Sequence, residues 1–458
     1  PVFDIDLVRT YDKTGPRYTS YPTAAQFTDD FSQVDYLQAA SDSNRNAAKP
    51  LSLYFHIPFC ATLCFYCACN KIVTKNKSRA DEYLEYLYKE IELQSDQYDR
   101  GRPVNQLHLG GGTPTFLSAG QIEQLLKKTA SHFDLSFEEQ RDYSIEIDPR
   151  SVDVSVLYDL WNFGFNRLSL GIQDFDPAVQ KAVHRVQSQD ETLHMIAMAK
   201  RIGFQSINVD LIYGLPLQTA KSFCKTLDTI IDADPARLSV FNYAHLPEYF
   251  PPQKRINEQD LPDPGEKLEM LHQTVERLTS AGYVYIGMDH FAKPDDSLVK
   301  AMSSQSLHRN FQGYASHGDS DLVGMGVTAI SKVANCYSQN AKFLGDYYRS
   351  LSQNTLPVTR GVTLGVEDMI RRNIIESLMC YGEVDFFEIE RRYKINFKNH
   401  FSRELHELAK MQSDGLITIF PDRVSVQPAG RFLIRNVSMV FDAYQRNADR
   451  APRHSRLI

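Results

Sequence analysis

The sequence predicts an α/β protein, a parallel sheet whose strands are joined by helical crossovers. Two observations carry this expectation. Short apolar, β-rich runs alternate with amphipathic helical stretches from about residue 51 to residue 292, and the chemically distinctive residues fall where those strands end. Repeated strand-helix-strand units return the chain in the same direction, so the strands they join are parallel.

The strands in order are LSLYFHI from Leu51, NQLHLGG from Asn105, DYSIEID from Asp142, NRLSLGIQ from Asn166, QSINVDLIYG from Gln205, RLSVFNYAH from Arg237 and YVYIGMDHFA from Tyr283. Between them ADEYLEYLYKEIELQ, QIEQLLKKTASHF, VSVLYDLWNFG, ETLHMIAMAKRIGF, KSFCKTLDTIIDA and EKLEMLHQTVERLTSAG repeat apolar residues at helical spacing. Six or seven such strands suit either an open doubly wound sheet or an incomplete (β/α) barrel, and both bind ligands at the C-terminal strand ends.

Two segments lie outside the alternation. Residues 1–50, with the turn-rich GPRYTSYPT (Gly15 to Thr23), read as an irregular segment covering the active site. Residues 51–360 read as the catalytic domain, and 361–458 as a mainly helical unit. In the last, EDMIRRNIIESLMC and FSRELHELAKMQSDG precede LITIF, a turn at Pro421-Asp422, RVSVQP and a final helix, a winged-helix-like order. Its mixed charge favours a structural or substrate-covering cap over a DNA binder. At 458 residues the chain is longer than one core usually supports, which agrees with a division into domains.

Composition excludes several classes. With 42% hydrophobic and 23% charged residues the chain can bury a large core. A formal charge of -7 argues against broad binding to nucleic acid or to anionic membrane, so an anionic substrate would need a local basic pocket. The first residues carry both charge signs and no apolar signal region, and no eighteen apolar residues run together. The chain reads as unexported and without membrane insertion. Cytoplasmic localisation is expected.

Four of the seven cysteines, Cys60, Cys64, Cys67 and Cys69, lie within ten residues, while Cys224, Cys336 and Cys380 are scattered. An odd count with one tight cluster points to metal or redox chemistry rather than a disulfide framework. Three thiolates at C-x3-C-x2-C spacing, on the loop after the first strand, can hold three irons of a cubane and leave a fourth iron open. A structural zinc site more often divides its ligands into separated pairs. A closed electron-transfer cluster bound by all four cysteines remains a competitor.

This spacing after the first strand of a βα series resembles the radical S-adenosylmethionine (SAM) superfamily. The strings YFHIPFC, NKIVT, LHLGGGTPTFL, IEIDPR, GIQDF, DLIYGLP, FNYAHLP, MDHFAKPDD, HRNFQGY and GMGVTAIS, with the fourth cysteine in C-x-C, narrow the resemblance. Together they are similar to the oxygen-independent coproporphyrinogen III oxidase (dehydrogenase) family of haem biosynthesis, over essentially the whole chain. The resemblance implies an incomplete (β/α) barrel of the radical SAM type. It also implies a 4Fe-4S cluster on Cys60, Cys64 and Cys67, whose open iron binds the amino and carboxylate groups of one SAM. Reductive cleavage of SAM gives a 5'-deoxyadenosyl radical, which takes hydrogen from a substrate propionate that then loses carbon dioxide to become a vinyl group. Done twice, this converts coproporphyrinogen III to protoporphyrinogen IX.

The resemblance implies two SAM molecules. Tyr54, Gly111 and Glu146 are expected at the first, and Tyr66, Gly112, Thr113, Gln173, Arg185, Asp210, Ala244 and Ile330 at the second. Without it, the glycines of Gly110 to Gly112 read as a turn, and Glu146, Gln173, Arg185 and Asp210 as solvated or helix-capping residues. Cys69 is expected to face the reacting groups. Arg17 and Arg309 are candidates for the substrate carboxylates, since the arginine fork matches a carboxylate. Ala68 stands where close relatives are expected to carry glycine, and Tyr66 where some carry phenylalanine. A porphyrinogen substrate, an unidentified electron donor and a monomeric state complete the expectation. A haem-transfer protein of the same branch is the nearest rival, and is expected to lack both the fourth cysteine and PRYTSYPT.

Overall fold

A computed structural model describes residues 2–45, 49–318 and 320–446. They group into two compact units, one built from 27–262 and 320–363, the other from 2–26, 263–318 and 364–446. The last stretch of the expected final helix, 447–458, lies outside the described residues.

The first unit carries the sheet. Its strands are β1 (Leu51–Ile57), β2 (Pro103–Gly111), β3 (Asp142–Ile147), β4 (Arg167–Gln173), β5 (Ser206–Tyr213), β6 (Arg237–Asn242), β7 (Asp321–Met325), β8 (Ile330–Val333), β9 (Cys336–Asn340) and β10 (Val358–Thr363). They lie in the order β6-β5-β4-β3-β2-β1-β7-β8-β9-β10. Every pairing from β6 to β7 is parallel, and those from β7 to β10 are antiparallel. The order is linear, and no pairing among the described residues closes it into a ring. The fold is thus the expected α/β class, an unclosed (β/α) arrangement.

Parallel strands covered on both faces read as unbroken apolar runs. The strands β3 to β5 instead alternate. Ile145, Ile147, Leu168, Leu170, Val209 and Leu211 are buried, while Ser144, Glu146, Ser169, Gly171, Asn208 and Asp210 between them are half-buried. With a side-chain period of two, one face is apolar and the other polar. The crossover helices bury apolar stripes of their own, such as Leu84, Leu87 and Ile91 in Ser78–Ser95 and Phe223, Leu227 and Ile230 in Ala220–Ala233. Each such side chain removed from water contributes about 1.5–3 kcal/mol. The second of these helices starts at a capping box on Thr219 and Ser222.

Three expectations are adjusted. The run from Tyr283 to Ala292 is two short antiparallel strands, Val284–Gly287 and His290–Ala292, rather than one. Positive φ at Gly287, Met288 and Asp289 reverses the chain between them. Strands β7 to β10 extend the sheet where no strand was expected. The N-terminal segment is irregular over Gly15 to Thr23, yet it also holds helices Ile5–Thr10 and Gln33–Asn44, the latter opened by a capping box on Ser32 and Asp35.

In the second unit, helices Val366–Tyr381, Phe386–Tyr393 and Ser402–Ser413 precede the antiparallel strands Ile417–Ile419 and Arg423–Val426. Glu383–Asp385 pairs with the last of these strands, which completes a three-stranded sheet.

Candidate functional site

The polar face of β2 to β5 borders a cavity of about 280 Å³ at the C-terminal ends of the strands. All four clustered cysteines line it, and none is in a disulfide. Pro58 ends β1, and Phe59–Cys60 pairs in parallel with Ile72–Val73, so the cysteine loop is pinned at its base. The amides of Ile72 and Thr74 donate to the carbonyls of Pro58 (2.7 Å) and Cys60 (2.9 Å). Inside the loop, Lys71 Nζ donates to the carbonyls of Cys67 (3.0 Å) and Cys69 (3.3 Å). Phe65 stacks on His184 at 4.9 Å, and its amide donates to the Val183 carbonyl.

The thiols differ in environment. Cys60 and Cys64 are buried, Cys67 is partly buried, and Cys69 is open to the cavity. Burial pushes the Cys60 thiol up to about 11, against a hydrogen bond donated by Thr113 Oγ1 at 3.4 Å. The Cys67 thiol is lowered, first by a hydrogen bond from Cys69 and then by the Lys71 ammonium, which outweigh its burial. Cys69, as the proton holder of that pair, is raised.

Chemistry and spacing of this donor set suit a cubane. Among the described residues, no three His, Cys, Asp or Glu side chains converge as ligands of one metal ion. A cubane places each thiolate on a different iron, whereas tetrahedral zinc draws all its ligands to one point. The neighbouring backbone makes room. A Cβ on Gly112 would lie 3.0 Å from Cys60 Sγ, and one on Gly110 2.9 Å from Glu146 Oε1.

Glu146 Oε2 accepts from the Gly111 amide at 3.2 Å, and Oε1 lies 3.3 Å from His108 Nε2. Tyr54 stacks on His108 with ring centroids 5.8 Å apart. Asp210 accepts from Ser169 Oγ at 3.0 Å and from Asn208 Nδ2 at 2.8 Å. Burial, and next the Glu146 charge, push its carboxyl up to about 6. Arg185 is buried, donates Nη2 to the Gly171 carbonyl at 2.6 Å and pairs with Asp148 at 3.3 Å. Its Nε is buried without a hydrogen-bond partner, a donor left for a bound acceptor.

The structure therefore brings Cys60, Cys64, Cys67, Cys69, Tyr66, Gly111, Gly112, Thr113, Glu146, Gln173, Arg185 and Asp210 to one cavity. Three expected residues sit beside it. Tyr54 touches the same Gly110 that Glu146 does. Ala244 offers its carbonyl to Gln253 Nε2 at 3.2 Å, which also donates to the Tyr66 carbonyl at 3.1 Å. Ile330 packs its backbone on Gly324, which is in register with Tyr54. In the other unit, Arg309 Nε donates to the Arg17 carbonyl at 3.2 Å, Arg17 pairs with Asp289 at 3.4 Å, and Arg309 lies 4.7 Å over the Tyr314 ring.

Sequence reasoning missed Lys71, Asp148, Arg150 and Ser169, which also line the cavity. The signal for Asp148 was available, since it extends the every-other-residue polar series of Ser144 and Glu146 past the end of β3.

Comparison with known proteins agrees with this geometry. The model of the radical SAM superfamily matches residues 54–230, and that of the HemN C-terminal domain matches 364–433. An oxygen-independent coproporphyrinogen III oxidase of Pseudomonas aeruginosa is 50% identical over 456 residues, covering 100% of this chain and 99% of the relative. One from Synechocystis is 42% identical over 460 residues, covering 100% and 98%. The solved structure of coproporphyrinogen III oxidase (HemN) from Escherichia coli, described as a radical SAM enzyme, superposes with a TM-score of 0.92 at 46% identity, covering 97% of this chain and 99% of that one. With full-length relatives of this identity and a thiol-lined cavity at the strand ends, the chain belongs to the oxygen-independent coproporphyrinogen III oxidase family of the radical SAM superfamily.

Proposed function

We infer that this chain converts two propionates of coproporphyrinogen III to vinyl groups without oxygen, giving protoporphyrinogen IX in haem biosynthesis. The observation that carries the reading is the gathering of the C-x3-C-x2-C thiols, the Gly110 to Gly112 strand end and the Glu146, Arg185 and Asp210 side chains in one cavity, in a chain aligned end to end with such oxidases. When bound, a 4Fe-4S cluster and SAM supply a one-electron cleavage that yields a hydrogen-abstracting alkyl radical. Each propionate then gives up one hydrogen atom, carbon dioxide and one electron.

The chain's own residues bind and orient. Cys60, Cys64 and Cys67 would hold the cluster, with the pinned loop fixing their spacing. Glu146, anchored by the Gly111 amide, offers a carboxylate to ribose hydroxyls or an ammonium group. Tyr54 adjoins the same glycine, and Ile330 adjoins Tyr54 through Gly324. The family resemblance puts Ile330 with the second SAM, whereas its adjacency to Tyr54 through Gly324 supports a position beside the first. A second SAM would take Tyr66, Gly112, Thr113, Gln173, Arg185, Asp210 and Ala244. The buried, unpaired Nε of Arg185 supports an acceptor there. Cys69 faces the cavity, where a reacting group would lie. Arg17 and Arg309 are proposed for substrate carboxylates, and Nη1 of Arg309 is buried without a hydrogen-bond partner.

A cytoplasmic, monomeric enzyme served by a separate electron donor fits this reading. No helix among the described residues is long and apolar enough to cross a membrane. The test is an anaerobic assay with coproporphyrinogen III, SAM and a reductant. Two methionines should be released per protoporphyrinogen IX formed. No vinyl product, or one methionine per two vinyl groups, contradicts the reading.

A further inference from the structure

We propose that Arg150 is a positioning residue that sets the reduction potential of the cluster through the sulfur of Cys64. The inference rests on the functional reading above and adds a residue to it. Arg150 Nη2 lies 3.5 Å from Cys64 Sγ and donates to it. Arg185 Nη1 approaches the same sulfur at 3.7 Å. Two guanidiniums thus converge on one thiol of the ligand set, while Cys60 receives a neutral hydroxyl from Thr113.

Asp148 holds both arginines in place. Its carboxylate accepts from Arg150 Nε at 3.0 Å and Nη2 at 2.6 Å, and from Arg185 Nη2 at 3.3 Å and Nη1 at 3.4 Å. It also accepts from the Arg150 amide at 3.1 Å, so the Asp-Pro-Arg turn after β3 is closed on itself and the side chain has a fixed origin. The side chains of Asp148 and Arg150 are 14% and 18% exposed, which keeps the network clear of most bulk screening. One carboxylate offsets one of the two guanidiniums. The surplus positive charge faces Cys64.

That surplus has a direction of effect. Reduction adds one negative charge to a cluster, and hydrogen bonds and positive charge at a ligating sulfur stabilise the reduced form and raise the potential. Arg185 also bonds the Gly171 carbonyl, and its Nε is buried without a hydrogen-bond partner, so it has other work there. The side chain of Arg150 bonds Asp148 and Cys64. It lines the thiol cavity and also a second cavity of about 310 Å³ with Ala61, Thr62 and His184. A change at Arg150 is therefore read on the cluster in the absence of SAM, where no SAM contact is disturbed.

The test compares wild type, Arg150→Gln and Arg150→Lys after anaerobic reconstitution, without SAM. Iron per chain and the midpoint potential of the cluster are measured by spectroscopic redox titration. Arg150→Gln should keep its iron while the reduced-to-oxidised ratio at a fixed applied potential falls about tenfold, which is about 59 mV for a one-electron couple. Arg150→Lys keeps the charge and should recover most of the shift. An unchanged potential in Arg150→Gln, an equal shift in Arg150→Lys, or loss of iron in Arg150→Gln in place of a shift would each overturn the assignment. Wild-type protein that takes up no cluster would instead overturn the functional reading, so the two failures are told apart.

Discussion

Gly112 passes so close to Pro58 that a Cβ would stand 2.7 Å from the Pro58 carbonyl oxygen and 3.0 Å from the Cys60 sulfur. The strand end of β2 and the start of the cysteine loop are thus in backbone contact, and the Gly112 amide donates to the Ile57 carbonyl at 2.9 Å. Only a residue without a side chain allows this approach.

Gly112→Ala should therefore displace the cysteine loop. Iron per chain after anaerobic reconstitution should fall to less than half of wild type. Gly120→Ala, where a Cβ would meet nothing within 4 Å, should leave iron content unchanged. Equal iron in both variants would mean that the contact does not shape the loop.

Asp210 gives a pH-dependent expectation for the metal-free protein. Burial raises its carboxyl to about 6, so the folded state holds the proton more tightly than the unfolded chain does. Its favourable contribution is complete below about pH 4, the unfolded value, and is lost as pH rises through 6. Asp210→Asn removes the cost of a buried charge while an amide oxygen can still accept from Ser169. The variant should be more stable than wild type at pH 8, by about 3 kcal/mol, with the gap closing toward pH 4. Denaturant unfolding at the two pH values checks this, and weaker SAM binding by the variant is expected alongside.

Asp321, at the start of β7, behaves in the opposite sense. It pairs with Arg102 and with Lys49, each at 2.8 Å, and Arg102 is itself buried. Burial alone would raise the carboxyl, but the Lys49 and Arg102 cations and the Ser43 hydroxyl hold it below the usual carboxylate range. The pairing contributes stability above about pH 4 and loses it as pH falls through the lowered folded value. Asp321→Asn leaves the Arg102 guanidinium buried without a counter-charge, and should cost about 3–5 kcal/mol at pH 7. A cost below about 1 kcal/mol in denaturant unfolding would show that the ion pair contributes no more than a surface one.

Six of the seven parallel strands and the cysteine loop were legible because their signals are local. Apolar runs announce β1 to β6, and a tight cysteine spacing needs no knowledge of the fold. Strands β7 to β10 were missed because GMGVTAIS and its neighbours are short and interrupted by glycine or polar residues, and β7 joins the sheet through β1, far away in sequence. The turn at Gly287 to Asp289 was hidden because the apolar residues on both sides of it, Tyr285, Ile286 and Phe291, read as one continuous strand. At the site, Glu146 and Asp210 were reached through the family resemblance. The alternation of Ser144, Glu146 and Asp148 alone would have found the polar face. Arg150 was not legible, because Asp-Pro-Arg reads as an ordinary turn until Cys64, 86 positions earlier, is brought to its guanidinium.

Cys60, Cys64 and Cys67 are proposed to hold the cluster and leave one iron for SAM, with Cys69 turned to the reacting groups. The most direct measurement is iron per chain, with SAM binding, in the four single serine variants prepared anaerobically. Cys60→Ser, Cys64→Ser and Cys67→Ser each remove a soft ligand and should lose the cluster. Cys69→Ser should keep about four irons per chain and bind SAM while losing most of its decarboxylation activity, through misplacement of a reacting group. Loss of iron in Cys69→Ser to the same degree as in the other three would contradict the account, because it would make Cys69 the fourth ligand of a closed cluster.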